Sequence, residues 1–280
     1  MLLYIFTSLG IPPSRWLNIG LTAIYLPPFL VVTSMLYLAK LLTRPIVKKW
    51  DNVRFQMIAA LIIVSTSILE LLTPSLAEAV MFGVIAIAIA FLARKTLFGF
   101  FALFLQMTTL IFFVMDFPYR YYRFMMFLDP YSDPLGRGYQ LIQSITALKN
   151  GLPWDLGLGN GSNSIPEVTS TFIFSHLFEE FGILILLPIL VVIILLCKLL
   201  LAVIHKEQNN YLKTVTSGFI VFLILQITIN ILVVTALIPT VAVELPVVAN
   251  SGSSIIFSFI HLGHPGNRVS TSRYNQMLIR

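Results

Sequence analysis

The chain has 280 residues, 58% hydrophobic and only 11% charged, with a mean hydropathy of +0.91 and a formal net charge of +6. Soluble domains carry about 25% charged residues, so this composition excludes a soluble globular protein and defines an all-α, polytopic membrane bundle. The positive balance does not indicate a nucleic-acid partner, because Lys and Arg flank apolar spans.

Met1–Leu9 is apolar but shorter than the roughly 20 residues a span needs, and it lacks the basic start of a signal peptide. It reads as a partial N-terminal span. Ile11–Gly20 is a short polar loop containing Arg15 and Trp16, and Leu21–Leu42 is the first full span. Thr43–Arg54 is a basic loop, Phe55–Leu72 and Leu76–Ala93 cross with a turn at Thr73-Pro74-Ser75 between them, and Thr96–Met115 leads to a large polar loop. Phe172–Ile204 returns and is longer than one span needs, which predicts tilt or a part outside lipid. Thr214–Leu237, a polar connection Ile238–Ser251 and a short span Gly252–Gly263 complete about seven full spans in a single membrane domain over residues 1–280. Cys197 stands alone in an apolar run, which excludes a disulfide framework. The four histidines read as ordinary residues near helix ends, so no metal site is expected.

Charge sets the orientation. Lys40, Arg44, Lys48, Lys49, Arg54, Arg94, Lys95, Lys198, Lys206, Lys213, Arg268, Arg273 and Arg280 fall on one side, 13 of the 18 basic residues. The positive-inside rule makes that side, with the C-terminus, cytoplasmic. The large loop, about residues 118–171, then faces outward, and the N-terminus is also placed outside, which predicts further spans upstream.

The loop is where a membrane protein tolerates polar chemistry. Asp133-Pro134 reads as a cap and first helical residue. Leu135, Tyr139, Ile142, Ile145 and Leu148 recur at three- and four-residue steps, predicting an amphipathic helix at the outer membrane surface. Gly157-Leu158-Gly159-Asn160-Gly161 is a flexible loop open to close approach by a ligand, but no Lys-Ser/Thr follows, so it is not a phosphate loop. Arg120 and Arg123, among Tyr119, Tyr121 and Tyr122, suit either an aromatic belt with snorkelling Arg or a site for an anionic lipid head or pyrophosphate. Glu179 and Glu180 follow in the next helix, where a carboxylate is either functional or packed against a cation.

The run FLDPYSDPLGRGYQLIQS, with Gly157-Leu158-Gly159-Asn160, Pro166-Glu167, Phe172-Ile173-Phe174, Glu179-Glu180-Phe181-Gly182, Gln226, Asn230-Ile231, Pro239, Leu245-Pro246, Gly252-Ser253-Ser254 and Arg15-Trp16, resembles the pattern of the SEDS proteins, the FtsW/RodA/SpoVE group of peptidoglycan polymerases. The resemblance covers nearly the whole chain. It implies transfer of a disaccharide from undecaprenyl pyrophosphate to a sugar hydroxyl at the outer leaflet, in elongation, division or sporulation. The implied partners are lipid II, a class B penicillin-binding protein and membrane lipids. No cofactor is expected, a divalent cation being the one option kept open. Substrate contacts would fall on Arg15, Trp16, Arg120, Arg123, Arg137, Gln140, Gln143, Asn160 and Ser253.

The chain departs from the family where chemistry is expected. The family's loop aspartate, in its HTDFIF motif, falls on Thr171, and a hydroxyl is not a base near neutral pH. The acidic position of its QPD motif falls on Ser75, and its PSELAK motif falls around Leu26–Val31 without Glu or Lys. The expectation is a polymerase of lost or weakened activity, with Glu167, Asp155 or Glu179 as substitute base. The alternative is a non-catalytic scaffold or a protein that binds the lipid-linked precursor. A lipid II flippase is the weaker option, because no pair of interrupted helices suggests inverted repeats.

Overall fold

The computed structural model describes residues 16–19, 22–25, 27–43, 49–72, 76–93, 100–101, 104–109, 118–152, 156–161 and 171–246. A hairpin of β1 (Trp16–Ile19) and β2 (Thr22–Tyr25) pairs antiparallel, with Trp16 opposite Tyr25, and precedes the helices. The first full span was expected from Leu21, but helix α1 runs from Pro27 to Leu42. The two prolines occupy its first turn, where their missing N–H groups cost no helical bond.

Helices α2 (Lys49–Leu72) and α3 (Leu76–Leu92) follow, so the helix starts inside the predicted basic loop. Of the predicted span Thr96–Met115, residues 100–101 and 104–109 are described and helical. The spans predicted at Met1–Leu9 and Gly252–Gly263 lie outside the described residues.

A bundle in lipid gains little from burying apolar surface alone and relies on close packing and polar ties. Helix α3 supplies both. Ala77, Ala79, Ala86 and Ala90 are buried along it, letting α1 and α2 approach. Ser67 of α2 donates to Gln106, whose Nε2 donates to the carbonyl of Ala79 at 2.8 Å, and Ser34 and Thr66 join α1 to α2 at 2.8 Å.

Beyond α4 (Pro118–Leu128) and a 3₁₀ turn (Pro130–Ser132), α5 runs from Tyr139 to Asn150. The cap predicted at Asp133 forms differently. Its carboxylate accepts the N–H of Arg137 at 3.0 Å within a turn, and the helix begins at Tyr139 with no side-chain cap at Gly138. The predicted stripe is also not the buried one. Leu141, Ser144 and Ala147 are buried, whereas Leu135 is 89% exposed. Small residues explain the switch. Ser144, Ala147 and Gly151 form one face on which α6 (Ile173–Phe181) packs, and a Cβ at Gly151 would lie 2.2 Å from the carbonyl oxygen of Phe178.

The long return helix is two pieces. Gly182, at φ 58° and ψ −147°, takes a conformation essentially reserved for glycine, and a 3₁₀ turn (Gly182–Ile185) separates α6 from α7 (Leu186–Lys206). The excess length is therefore α6, folded against protein. Helix α7 buries only Leu196 and leaves Leu187, Leu190, Val191 and Leu195 outward, a predominantly apolar exterior suited to lipid, with Lys198 and the basic last turn as its charged positions. Three residues connect it to α8 (Asn210–Val234), whose N-cap Asn209 accepts from the N–H groups of Tyr211 and Leu212. Helix α8 is the most enclosed of the long helices, packed on α1, α3, α6 and α7. It ends in a Schellman motif: Ala236 is left-handed at φ 55°, Leu237 donates to Leu232, and Ala236 donates to Val233. Residues 239–245 continue without regular structure.

Candidate functional site

The site is assembled where α5, α6, the end of α8 and residues 239–245 meet. Thr171 precedes the first turn of α6 and is 4% exposed. Its carbonyl accepts from Nδ2 of Asn230 at 2.8 Å, and the same amide donates to the carbonyl of Val243 at 2.6 Å. One fully buried side chain thus joins the loop's end, α8 and the segment after it. A second tie lies beside it: Ser144 and Ser175 meet at 2.6 Å, and Ser144 bonds the carbonyl of Val234 at 2.8 Å. The backbone at position 171 is therefore held by Asn230, and the start of α6 beside it by Ser144.

The segment after α8 also holds a cation. Nη1 of Arg123, on α4, donates to the carbonyl of Thr240 at 3.1 Å, three residues before Val243. Arg137 lies 3.9 Å over the ring of Tyr122 and is exposed, so two loop cations project from the α4–α5 region. The cation–π contact holds a guanidinium without using its hydrogen-bond donors.

Glu179 is 1% exposed and its carboxylate accepts from Nδ2 of Asn150 at 2.8 Å. Its main-chain carbonyl accepts from Leu156. The glycine loop is less open than predicted. The N–H of Gly159 donates to Oε1 of Glu180 at 3.0 Å, and Asn160 folds its amide back onto the carbonyl of Leu156 at 2.9 Å. Positive φ at Gly157 and Gly159 permits this tight course. Gln140 and Gln143 are half-buried on α5. Trp16 and Arg120 lie on described backbone, in β1 and α4, with side chains outside the described residues. Arg15, Asp155, Glu167 and Ser253 lie outside them altogether.

The structure brings Thr171, Arg123 and Glu179 onto one connected frame and adds residues the sequence reading did not single out. Ser144 and Gly151 are legible afterwards, with Ala147, as small residues at steps of three and four along one face. The tie from Asn150 to Glu179 and the inward turn of Ser175 depend on how α5 and α6 pack, which no local pattern reports.

A bundle of long apolar helices tied by buried amides and hydroxyls, with a polar loop folded against two of them, is the architecture of an integral membrane protein. Residues 1–265 match the model of the FtsW/RodA/SpoVE family of cell cycle proteins, and the chain belongs to that family. It is 32% identical over 255 residues to the probable peptidoglycan glycosyltransferase FtsW of Buchnera aphidicola subsp. Schizaphis graminum, covering 88% of this chain and 72% of that one. The corresponding protein of Buchnera aphidicola subsp. Acyrthosiphon pisum is also 32% identical over 255 residues, and the chain spans 63% of its length. Among solved structures, it superposes with a TM-score of 0.65 and 26% identity on a chain of a peptidoglycan synthase complex described as coordinating polymerization and crosslinking, covering 89% of this chain and 71% of that one.

Proposed function

We propose that this protein acts on lipid II at the outer leaflet of the bacterial cytoplasmic membrane, in glycan-strand polymerisation alongside a class B penicillin-binding protein, with transfer weakened by the loss of the loop carboxylate. The observation that carries the reading is the frame around Thr171. Asn230 holds the backbone at the position onto which the family's aspartate falls, the Ser144–Ser175 pair ties α6 beside it, and Arg123 is tethered to the segment that Asn230 also binds. Charge-assisted contacts from Arg suit a pyrophosphate and would stabilise it as it departs. The substrate-facing set comprises Arg15, Trp16, Arg120, Arg123, Arg137, Gln140, Gln143, Asn160 and Ser253, with Asp155 and Glu167 of the loop and Glu179 of α6 as the carboxylates offered as a substitute base.

The second reading, a protein that binds the precursor without turning it over, is favoured by the buried, uncharged side chain at 171. Binding is common to both readings. The triple variant Arg120→Ala, Arg123→Ala, Arg137→Ala is expected to bind lipid II at least tenfold more weakly, about 1.4 kcal/mol or more, since each charge-assisted contact contributes about 1.5–3 kcal/mol. Equal affinity in a folded triple variant would remove the pyrophosphate site from this loop.

The proposed topology places the loop outside and the C-terminus in the cytoplasm, following the basic residues. In a Cys197-free background, Asn160→Cys, exposed in the folded chain, should react with a membrane-impermeant thiol reagent on intact cells. Reaction only after lysis would reverse the orientation.

A further inference from the structure

One ionisable pair stands beside the frame at Thr171 and is not part of it. His176 and Glu180 lie one turn apart on α6, with Nε2 3.6 Å from Oε1. That same Oε1 accepts the N–H of Gly159 at 3.0 Å, so the carboxylate binds the glycine loop and the imidazole together. The loop closes over the ring. A Cβ built at Gly161 would lie 2.8 Å from Cε1 and 2.9 Å from Nδ1 of His176, and 2.9 Å from Cγ of Glu180. Any larger residue at 161 would therefore have to push the ring or Glu180 aside. Behind it, Nδ1 is buried with no hydrogen-bond partner among the described residues.

The chemistry of the pair follows from which nitrogen is occupied. A carboxylate beside Nε2 favours the tautomer protonated there and leaves the lone pair on Nδ1. An oriented imidazole with an unused lone pair, its other nitrogen facing a carboxylate, is the arrangement of a general base and its orienting group. The ion-pair distance is longer than a hydrogen bond, and catalytic bonds of this kind commonly tighten when substrate is bound. His176 is the fourth residue of α6, and Thr171 lies two residues before that helix begins, so both belong to its N-terminal part.

We infer that His176, oriented by Glu180, is the general base for glycosyl transfer in place of the carboxylate missing at residue 171, and that its ligand is the acceptor hydroxyl of a lipid-linked sugar. This rests on the glycosyl-transfer reading above. In the step, the acceptor oxygen forms a bond to the anomeric carbon as the bond from that carbon to the pyrophosphate oxygen breaks. The bonding pair leaves with the pyrophosphate. The hydroxyl proton passes to Nδ1, the imidazolium is stabilised by Glu180, and the proton is then released to water. For the hydroxyl to reach Nδ1, Gly161 must draw back from the ring. The Glu180–Gly159 contact is the tether on that movement, so loop position and base orientation are set by one carboxylate.

The test uses the full chain with its class B partner, lipid II as substrate, glycan-strand formation as the rate and lipid II binding as a separate measurement. His176→Ala is expected to lower kcat at least 100-fold with KM little changed, and added imidazole is expected to restore at least tenfold of that loss. Glu180→Gln, which keeps an oxygen for Gly159 but removes the charge, is expected to lower kcat about tenfold, and it serves as the second variant if His176→Ala does not fold. Parental kcat in either folded variant overturns the inference, as does a slow His176→Ala that imidazole leaves unchanged, since imidazole replaces a lost base and not lost packing. A parent chain that binds lipid II but makes no glycan also overturns it while leaving precursor binding intact. A parent chain that does neither overturns the glycosyl-transfer reading itself.

Discussion

Asn230→Ala is expected to destabilise the protein by about 2–4 kcal/mol. The side chain is fully buried and its Nδ2 serves two carbonyls, of Thr171 and Val243. Truncation leaves both acceptors enclosed without a donor, at about 1–3 kcal/mol each. Removing Oδ1, which is buried and unpartnered among the described residues, returns about 1 kcal/mol. Thermal unfolding in detergent measures the net loss. Asn230→Asp, close in shape but without the two donors, should be as damaging or worse. A change below about 0.5 kcal/mol in both variants would mean that the three segments are held by packing alone.

The second expected result concerns Thr171→Asp, which introduces the aspartate that the family resemblance implies for this position. A general base commonly contributes 10²–10⁴-fold in rate, yet the substitution is expected to leave polymerisation of lipid II at the parental level. Thr171 is 4% exposed. A carboxyl group placed there without a partner is desolvated, which favours its neutral form, and a neutral acid is not a base. The positions onto which the resemblance places the family's other membrane carboxylates also differ, at Ser75 and within Leu26–Val31, so an aspartate introduced at 171 alone has none of the partners that would position it against the hydroxyl. A purified variant that forms strands 100-fold faster than the parent would show instead that one side chain is the whole defect.

The helices and their order were legible in the sequence because lipid imposes a length and a composition that local patterns report. The spans read at Leu76–Ala93 and Thr214–Leu237 fall within a few residues of α3 and α8. The loop was less legible, for two reasons. A stripe such as Leu135–Tyr139–Ile142 announces an apolar face, but the face that packs is chosen by size, and Ser144, Ala147 and Gly151 offer the closer approach. Glycine is also ambiguous in a sequence. Gly157 and Gly159 read as an open loop, while the fold uses the Gly159 amide to hold Glu180. The family motifs single out Thr171 and Glu179 as positions along the chain. Which atoms face them, Asn230 in one case and Asn150 in the other, follows only from tertiary packing.

The break at Gly182 has a mechanical consequence. Helix α7 presents most of its surface to the bilayer, whereas α6 is gripped by α5 and α8. A continuous 34-residue rod would carry every tilt or rotation of its lipid-facing half directly to residue 171. Interrupted by four 3₁₀ residues and a glycine-only conformation, the two halves act as linkage rather than lever. Fluctuations in membrane thickness or lateral pressure that reorient α7 are absorbed at the joint, and the geometry around Thr171 is insulated from the lipid environment in which the rest of the helix must work.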